Sequence, residues 1–283
     1  MPDPRPTVLD AGDSALVLEF GTRIDPEIAA RVARLDRRVA ALVAAGRLPG
    51  VVETVPTFRS LAVLIDPLAT DPATVAEALL GAGPDGGAGA DGREGDAAAG
   101  SSGEPGPSGA TRTWVLPVRY GGEHGPDLDE VAERTGLAPE EVVALHADTE
   151  VGVYMLGFLP GYAFLGDTDA RLHLPRRAEP RTRVPAGSVA VATTLTGVYP
   201  VDSPGGWHLL GHCPVPMFDA SASPPALLAP GDRVRFEPVD AARHDELRAR
   251  AAAGRLDARD FRVDRDGAGG NGADGAAADE ARA

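Results

Sequence analysis

Lysine is absent from this 283-residue chain, so all 27 of its basic side chains are arginines. That excludes a Walker A phosphate loop, which ends in Gly-Lys-Ser/Thr, and the Gly-rich run GPDGGAGADG is therefore not one. It also excludes a biotin-attachment lysine, so any biotin would arrive on another protein. Cysteine is limited to Cys213, which rules out an internal disulfide framework and Cys-x-x-Cys zinc pairs and fits a reducing cytoplasm. No apolar run approaches the ~18 residues of a membrane span. The opening MPDPRPTVLDAGD lacks the basic start and apolar segment of a signal peptide, and the expected location is cytoplasmic. Positive charge is short as well: the formal balance of −15 is the wrong sign for neutralising nucleic-acid phosphates. No His pair has metal-ligand spacing on a helix, so no metal site is expected. GxSxG is missing, and Ser188 in PAGSVAV reads as the start of a strand rather than a nucleophile.

What remains divides by composition. Residues 7–80 give the order β-β-α-β-β-α, with Leu16, Leu18 and Phe20 on one strand face. Asp25 and Pro26 open a helix, Ile28, Val32, Leu35, Val39 and Leu42 recur at helical spacing, and Gly46 ends it. This predicts an α+β layer of helices on an antiparallel or mixed sheet. Residues 81–112 are Gly/Ala-rich and, through 110, contain no large apolar side chain, which predicts a disordered linker. Residues 113–240 predict a small β-barrel with a helical insertion, opened by WVLPVRY, whose Pro117 implies an edge or a bulge. Residues 241–283 are expected to add a terminal helix and a disordered tail.

The stretch Thr149 to Gly211 concentrates the candidate chemistry. Short apolar runs alternate there with turns at Pro160-Gly161, Pro185-Ala186-Gly187 and Pro204-Gly205-Gly206. Gly205 and Gly206 leave peptide N–H groups approachable by an oxyanion, or form a plain tight turn. Trp207 has the amphipathic ring that often floors a pocket. Arg176, Arg177, Arg181 and Arg183 are cations suited to carboxylate or phosphate, or else a solvated basic turn. His124, in the turn YGGEHGP, is either a general base or a polar turn residue. Tyr199 in GVYP either hydrogen-bonds a substrate or packs in the barrel.

Five segments taken together, YGGEHGPDL, GFLPGYAFLG, LPRRAEPRTRVPAGSVAV, TGVYPVDSPGGWHLLGH and LLAPGDRVRF, resemble the 5-oxoprolinase B subunit family, also called allophanate hydrolase subunit 1 or KipI-like, a carboxyltransferase-domain family. The resemblance is close over 113–240 and loose over 7–80. It implies an α+β fold: an N-terminal α+β domain followed by a cyclophilin-like barrel. It implies one component of an ATP-dependent 5-oxoprolinase, opening 5-oxo-L-proline to L-glutamate with C-type and A-type partner subunits. ATP with Mg2+ would be held mainly by the complex. Among the arginines the family pattern selects Arg176 and Arg183, and it favours Glu150 as an acid/base over a helix-end residue. One departure is that Thr193, Thr194 and Leu195 stand where the family has an amide-bearing run, which removes a donor and an acceptor at Leu195. Two other readings share the resemblance: half of a biotin-dependent carboxyltransferase acting on urea or another amide, and a KipI-like binding protein that inhibits a histidine kinase.

Overall fold

The computed structural model describes residues 5–81 and 111–263; the linker and tail expected beyond these bounds fall outside the described residues. Residues 7–81 form β1 (Thr7–Asp10), β2 (Ala15–Glu19), α1 (Pro26–Ala44), β3 (Val51–Pro56), β4 (Ser60–Ile65) and α2 (Pro72–Gly81). The four strands make an antiparallel sheet in the order β1-β2-β4-β3. Alternation places Leu16, Leu18, Leu61, Val63 and Ile65 on one face, where they meet Val32, Val39 and Leu42 of α1 and Val75 and Leu79 of α2. Helix α1 starts where the sequence predicts: Asp25 Oδ1 accepts from the Glu27 and Ile28 amides, and Pro26 occupies the first turn.

The second part opens with β5 (Thr113–Tyr120), α3 (Leu128–Thr135) and α4 (Pro139–Asp148). Strands β6 (Val151–Leu156), β7 (Ala163–Gly166), β8 (Arg181–Val184), β9 (Ser188–Ala192), β10 (Leu195–Val198), β11 (Ser203–Gly205), β12 (His208–His212) and β13 (Arg233–Pro238) follow, then α5 (Ala241–Ala252) and β14 (Arg262–Val263). Seven strands close a barrel in the order β5-β12-β9-β10-β7-β6-β13 and back to β5. Its interior is apolar, with Trp114, Leu116, Val118, Val153, Leu165, Val189, Val234 and Phe236 buried. Asp232 locks the seam: it accepts two hydrogen bonds from Arg112, at 2.9 and 2.8 Å, and one from Trp114 Nε1 at 3.1 Å.

Pro117 is not at an edge. Strand β5 pairs along its length with β13 on one side, while on the other β14 meets Thr113 and Trp114 and β12 meets Arg119 and Tyr120. The proline occupies the gap between those two partners, where a missing amide costs no ladder bond. Strands β8 and β11 form a separate ribbon pairing Gly205 with Arg181 and Ser203 with Val184. The two parts touch through Phe58, in the β3–β4 turn, whose ring lies 5.5 Å from Tyr154 and 5.6 Å from Phe164.

Candidate active-site cleft

Two open cavities flank Tyr199. The smaller, about 250 Å³, is lined by Arg176, Gly205, Gly206 and Trp207 together with Tyr162, Phe164, Phe158 and Tyr199. The larger, about 610 Å³, is lined by His124, His212, Glu123, Asp202 and Arg248, with Tyr199 again on its wall. Five of the eight residues singled out from sequence therefore share one cleft: Arg176, Tyr199, Gly205, Gly206 and Trp207. His124 is on the far side of Tyr199. Arg183 is exposed and bound to Asp202, with Nε 2.8 Å and Nη2 2.7 Å from one carboxylate oxygen. Glu150 is exposed between α4 and β6 and lines neither cavity.

The cleft walls are aromatic because the β6–β7 turn folds back on itself. Phe158 adopts a positive φ of 68° and Gly161 one of 77°, and the reversal delivers Tyr162 as a hub. Its ring meets Tyr199 at 5.2 Å, Trp207 at 6.0 Å and Phe164 at 5.0 Å, each steeply inclined as aromatic quadrupoles prefer. Phe164 is backed by Phe58, so the N-terminal layer buttresses this wall. Trp207 is 5% exposed, and its indole forms wall rather than rim.

The two glycines differ in what they allow. A Cβ on Gly205 would stand 2.5 Å from the Tyr199 hydroxyl, a collision no rotamer relieves, whereas one on Gly206 would meet Pro180 at 3.6 Å, ordinary contact. Gly205 is required for close approach to Tyr199; Gly206 keeps the cleft surface open. Burial pushes the hydroxyls of Tyr162 and Tyr199 above the usual phenol range, with Arg176 pulling back on both. Both therefore remain neutral donors at physiological pH.

The four arginines have separate fates. Arg177 Nη1 donates to Asp127 Oδ1 and Glu130 Oε2, each at 3.1 Å, and Arg181 Nη2 donates to the same Asp127 oxygen at 2.6 Å. Asp127 Oδ2 takes the Leu209 amide at 2.7 Å. With its side chain 4% exposed, this carboxylate ties the start of α3 to the arginine loop and to β12. The Arg177 amide also donates to the Gly206 carbonyl at 2.8 Å, so the clamp holds the glycine turn in place. Sequence spacing suggests Asp127 as a helix cap with Glu130, but its side chain makes no cap hydrogen bond; it is spent on the arginines. Arg176 alone faces the aromatic cleft, and among the described residues it has no carboxylate partner.

His124 sits in a turn where Gly121 and Gly122 have φ of 70° and 56°. Burial, followed by the charge of His244, lowers its pKa. No Asp, Glu or His of the described residues lines the smaller cleft. Tyr162, Phe164 and Asp127 are the site residues sequence reasoning missed, and the Tyr162 signal was present in GFLPGYAFLG as an aromatic directly after the Pro-Gly reversal.

Known proteins share this fold. The family described as Carboxyltransferase domain, subdomain C and D, matches residues 6–228, across both the sheet layer and the barrel. The chain belongs to this family. It is 39% identical to the 5-oxoprolinase B subunit of Bacillus subtilis (strain 168) over 239 residues, covering 80% of this chain and 89% of that protein. The crystal structure of TTHA0988 superposes with a TM-score of 0.64 at 38% identity, covering 81% of this chain. This chain spans only 40% of that one. The Kluyveromyces lactis urea amidolyase, at 18% identity and a TM-score of 0.66, shares the fold over 90% of this carboxyltransferase-domain chain, which spans 16% of its length.

Proposed function

We propose that this chain is one component of an ATP-dependent 5-oxoprolinase, binding the lactam in the Arg176 cleft and completed by a second polypeptide. The observation that carries the reading is a guanidinium with no carboxylate partner among the described residues, at the edge of a small aromatic cleft. A compact, flat, singly charged acid satisfies both features: its carboxylate pairs with Arg176 and its ring lies against Tyr162 and Trp207. The neutral hydroxyl of Tyr199, itself paired with that of Tyr162, is a donor for a carbonyl oxygen, and the half-buried backbone at Gly206 lines the approach. The name of the Bacillus subtilis relative supports the same substrate.

The missing groups support the partner. A lactam carbonyl is a poor electrophile; transfer of a phosphoryl group from ATP to its oxygen makes the ring carbon open to water, and the ring C–N bond then breaks to give glutamate and phosphate. Water needs a base, and the described cleft carries none. At about 250 Å³ it falls below the ~300–1,000 Å³ of sites for larger ligands, and one guanidinium does not neutralise a triphosphate. The residues here do not fit ATP with its Mg2+, which belongs with partners of the C and A types. Arg183, bound to Asp202, and Glu150, exposed elsewhere, have no part in this site. His124 stands behind Tyr199 and is not the base for the cleft as built.

Co-purified with its partners, the complex is expected to release glutamate from 5-oxoproline with matching ATP consumption. Absence of turnover by the full complex overturns the proposal. The family's carboxyltransferase description favours one rival, transfer of a carboxyl group from biotin on another protein. Loss of activity on adding avidin would select it.

A further inference from the structure

The turn between β6 and β7 is closed at its base, where the Gly157 amide donates to the Tyr162 carbonyl at 3.1 Å. Inside it the Leu159 amide donates back to the Gly157 carbonyl at 2.8 Å, which makes Phe158 the centre of a γ-turn. With a φ of 68° at that centre, the turn is the rare strained kind rather than the common inverse one. It is held in that shape from behind. A Cβ on Gly161 would stand 2.7 Å from Phe218 Cβ and 2.9 Å from the Met217 carbonyl oxygen, so the reversal is seated against that segment and cannot relax towards it.

Position 158 is a poor place for a phenyl ring on folding grounds alone. A bulky side chain at positive φ is strained by its own Cβ, and the ring is 62% exposed, so burial recovers little. The two other described non-glycine residues at positive φ, Asp167 and Thr193, are polar. Glycine would relieve the strain and expose no apolar surface, and the same turn uses glycine at 157 and 161. Among the described residues the ring neighbour of Phe158 is Tyr162, 5.6 Å away and inclined at 86°. That single contact does not offset both a strained backbone and an exposed ring.

The ring lines the Arg176 cleft. Trp207 stands on the same Tyr162 ring at 6.0 Å and 85°, and no ring contact joins it to Phe158 among the described residues, so open cleft separates the two. A flat ring entering there meets an aromatic wall on each side while its carboxylate reaches Arg176. We propose that Phe158 is a specificity-determining residue of the cleft: the strained turn holds its ring against the lactam and limits the site to a small five-membered ring. The inference rests on the reading of this cleft as the lactam site.

Steady-state kinetics of the reconstituted complex, on 5-oxoproline and on its six-membered lactam homologue, test the assignment. For Phe158→Gly, KM for 5-oxoproline is expected to rise about 3- to 10-fold with kcat held, the mark of a contact made equally in ground and transition states. Preference for the five-membered ring, as a ratio of kcat/KM values, should fall about tenfold. The unfolding midpoint should stay within about 3 °C, since relief of the positive φ offsets the lost ring contact. Phe158→Tyr, which restores the ring, should return KM to within about twofold of the unsubstituted value. Arg176→Ala is measured alongside. If it raises KM while Phe158→Gly changes neither KM nor ring preference, the inference fails and the cleft reading stands. If neither substitution moves KM, the cleft is not the lactam site and both fail. A Phe158→Gly chain that assembles poorly but, once assembled, keeps KM and ring preference also overturns the proposal, and gives the ring to the partner polypeptide instead.

Discussion

The N-terminal layer and the barrel differ in what they bury. Every fully buried polar side chain among the described residues lies between Asp127 and His244, whereas the core under the N-terminal sheet consists of Leu, Val and Ile. An aliphatic layer needs only volume and pattern, and its stability follows area removed from water. The barrel instead holds Asp127, Asp232, His146, His208 and His244 in fixed hydrogen-bonded positions, where each unmet partner is costly. The candidate chemistry is in the part that carries this burden. The N-terminal layer reaches it through Phe58 against Phe164.

The largest test of that contrast is Asp127→Ala. It strands Arg177 and Arg181 with their side chains about a quarter exposed, and breaking such a pair from one side is expected to cost about 3–5 kcal/mol. Urea denaturation followed by tryptophan fluorescence measures it, since both tryptophans, Trp114 and Trp207, lie in the barrel. A cost below 1 kcal/mol would mean the clamp behaves as a surface ion pair and the contrast is wrong.

The glycine pair sharpens the comparison within the cleft. Gly205→Ala forces a Cβ into the Tyr199 hydroxyl and is expected to destabilise by about 1–3 kcal/mol. Gly206→Ala should stay within about 0.5 kcal/mol while narrowing the cleft. Equal effects on thermal unfolding would remove the distinction drawn from Tyr199 and Pro180.

Acid should then separate the two regions. Burial holds His146 down to about 3 and His212 to about 4, below the ~6.5 of an unfolded histidine. The folded barrel binds fewer protons than the unfolded chain in that window, so its stability is lost as pH falls from about 6.5 towards 4. The N-terminal layer contains no histidine and contributes nothing to this loss. Denaturation midpoints from tryptophan fluorescence at a series of pH values check the barrel, and flat midpoints over that window contradict the account.

Much of the architecture was legible because it rests on local rules. Asp25-Pro26 starts α1 as its cap chemistry requires, and the alternation of Leu16 and Leu18 gives the buried face of β2. The segment motifs carried the family. What could not be read was the sorting of the arginine run. Arg176 faces the cleft while Arg177 and Arg181 turn to Asp127, some fifty residues away in sequence, and only barrel closure brings that carboxylate beneath them. His212 and His244 also meet only through the closed seam, one on β12 and the other on α5. Glu150 and His124 are in chemically apt surroundings by sequence, yet the fold puts neither beside Arg176.

We propose Arg176, and not its neighbours in the run, as the residue that receives the substrate carboxylate. 5-Oxoproline-dependent ATP hydrolysis by the reconstituted complex decides it, comparing Arg176→Ala with Arg183→Ala. Loss of a charge-assisted pair is expected to lower kcat/KM about 10- to 100-fold for the first, while the second, which breaks only the exposed link to Asp202, stays near the unsubstituted complex. Equal loss in both, or full activity with Arg176→Ala, would contradict the account.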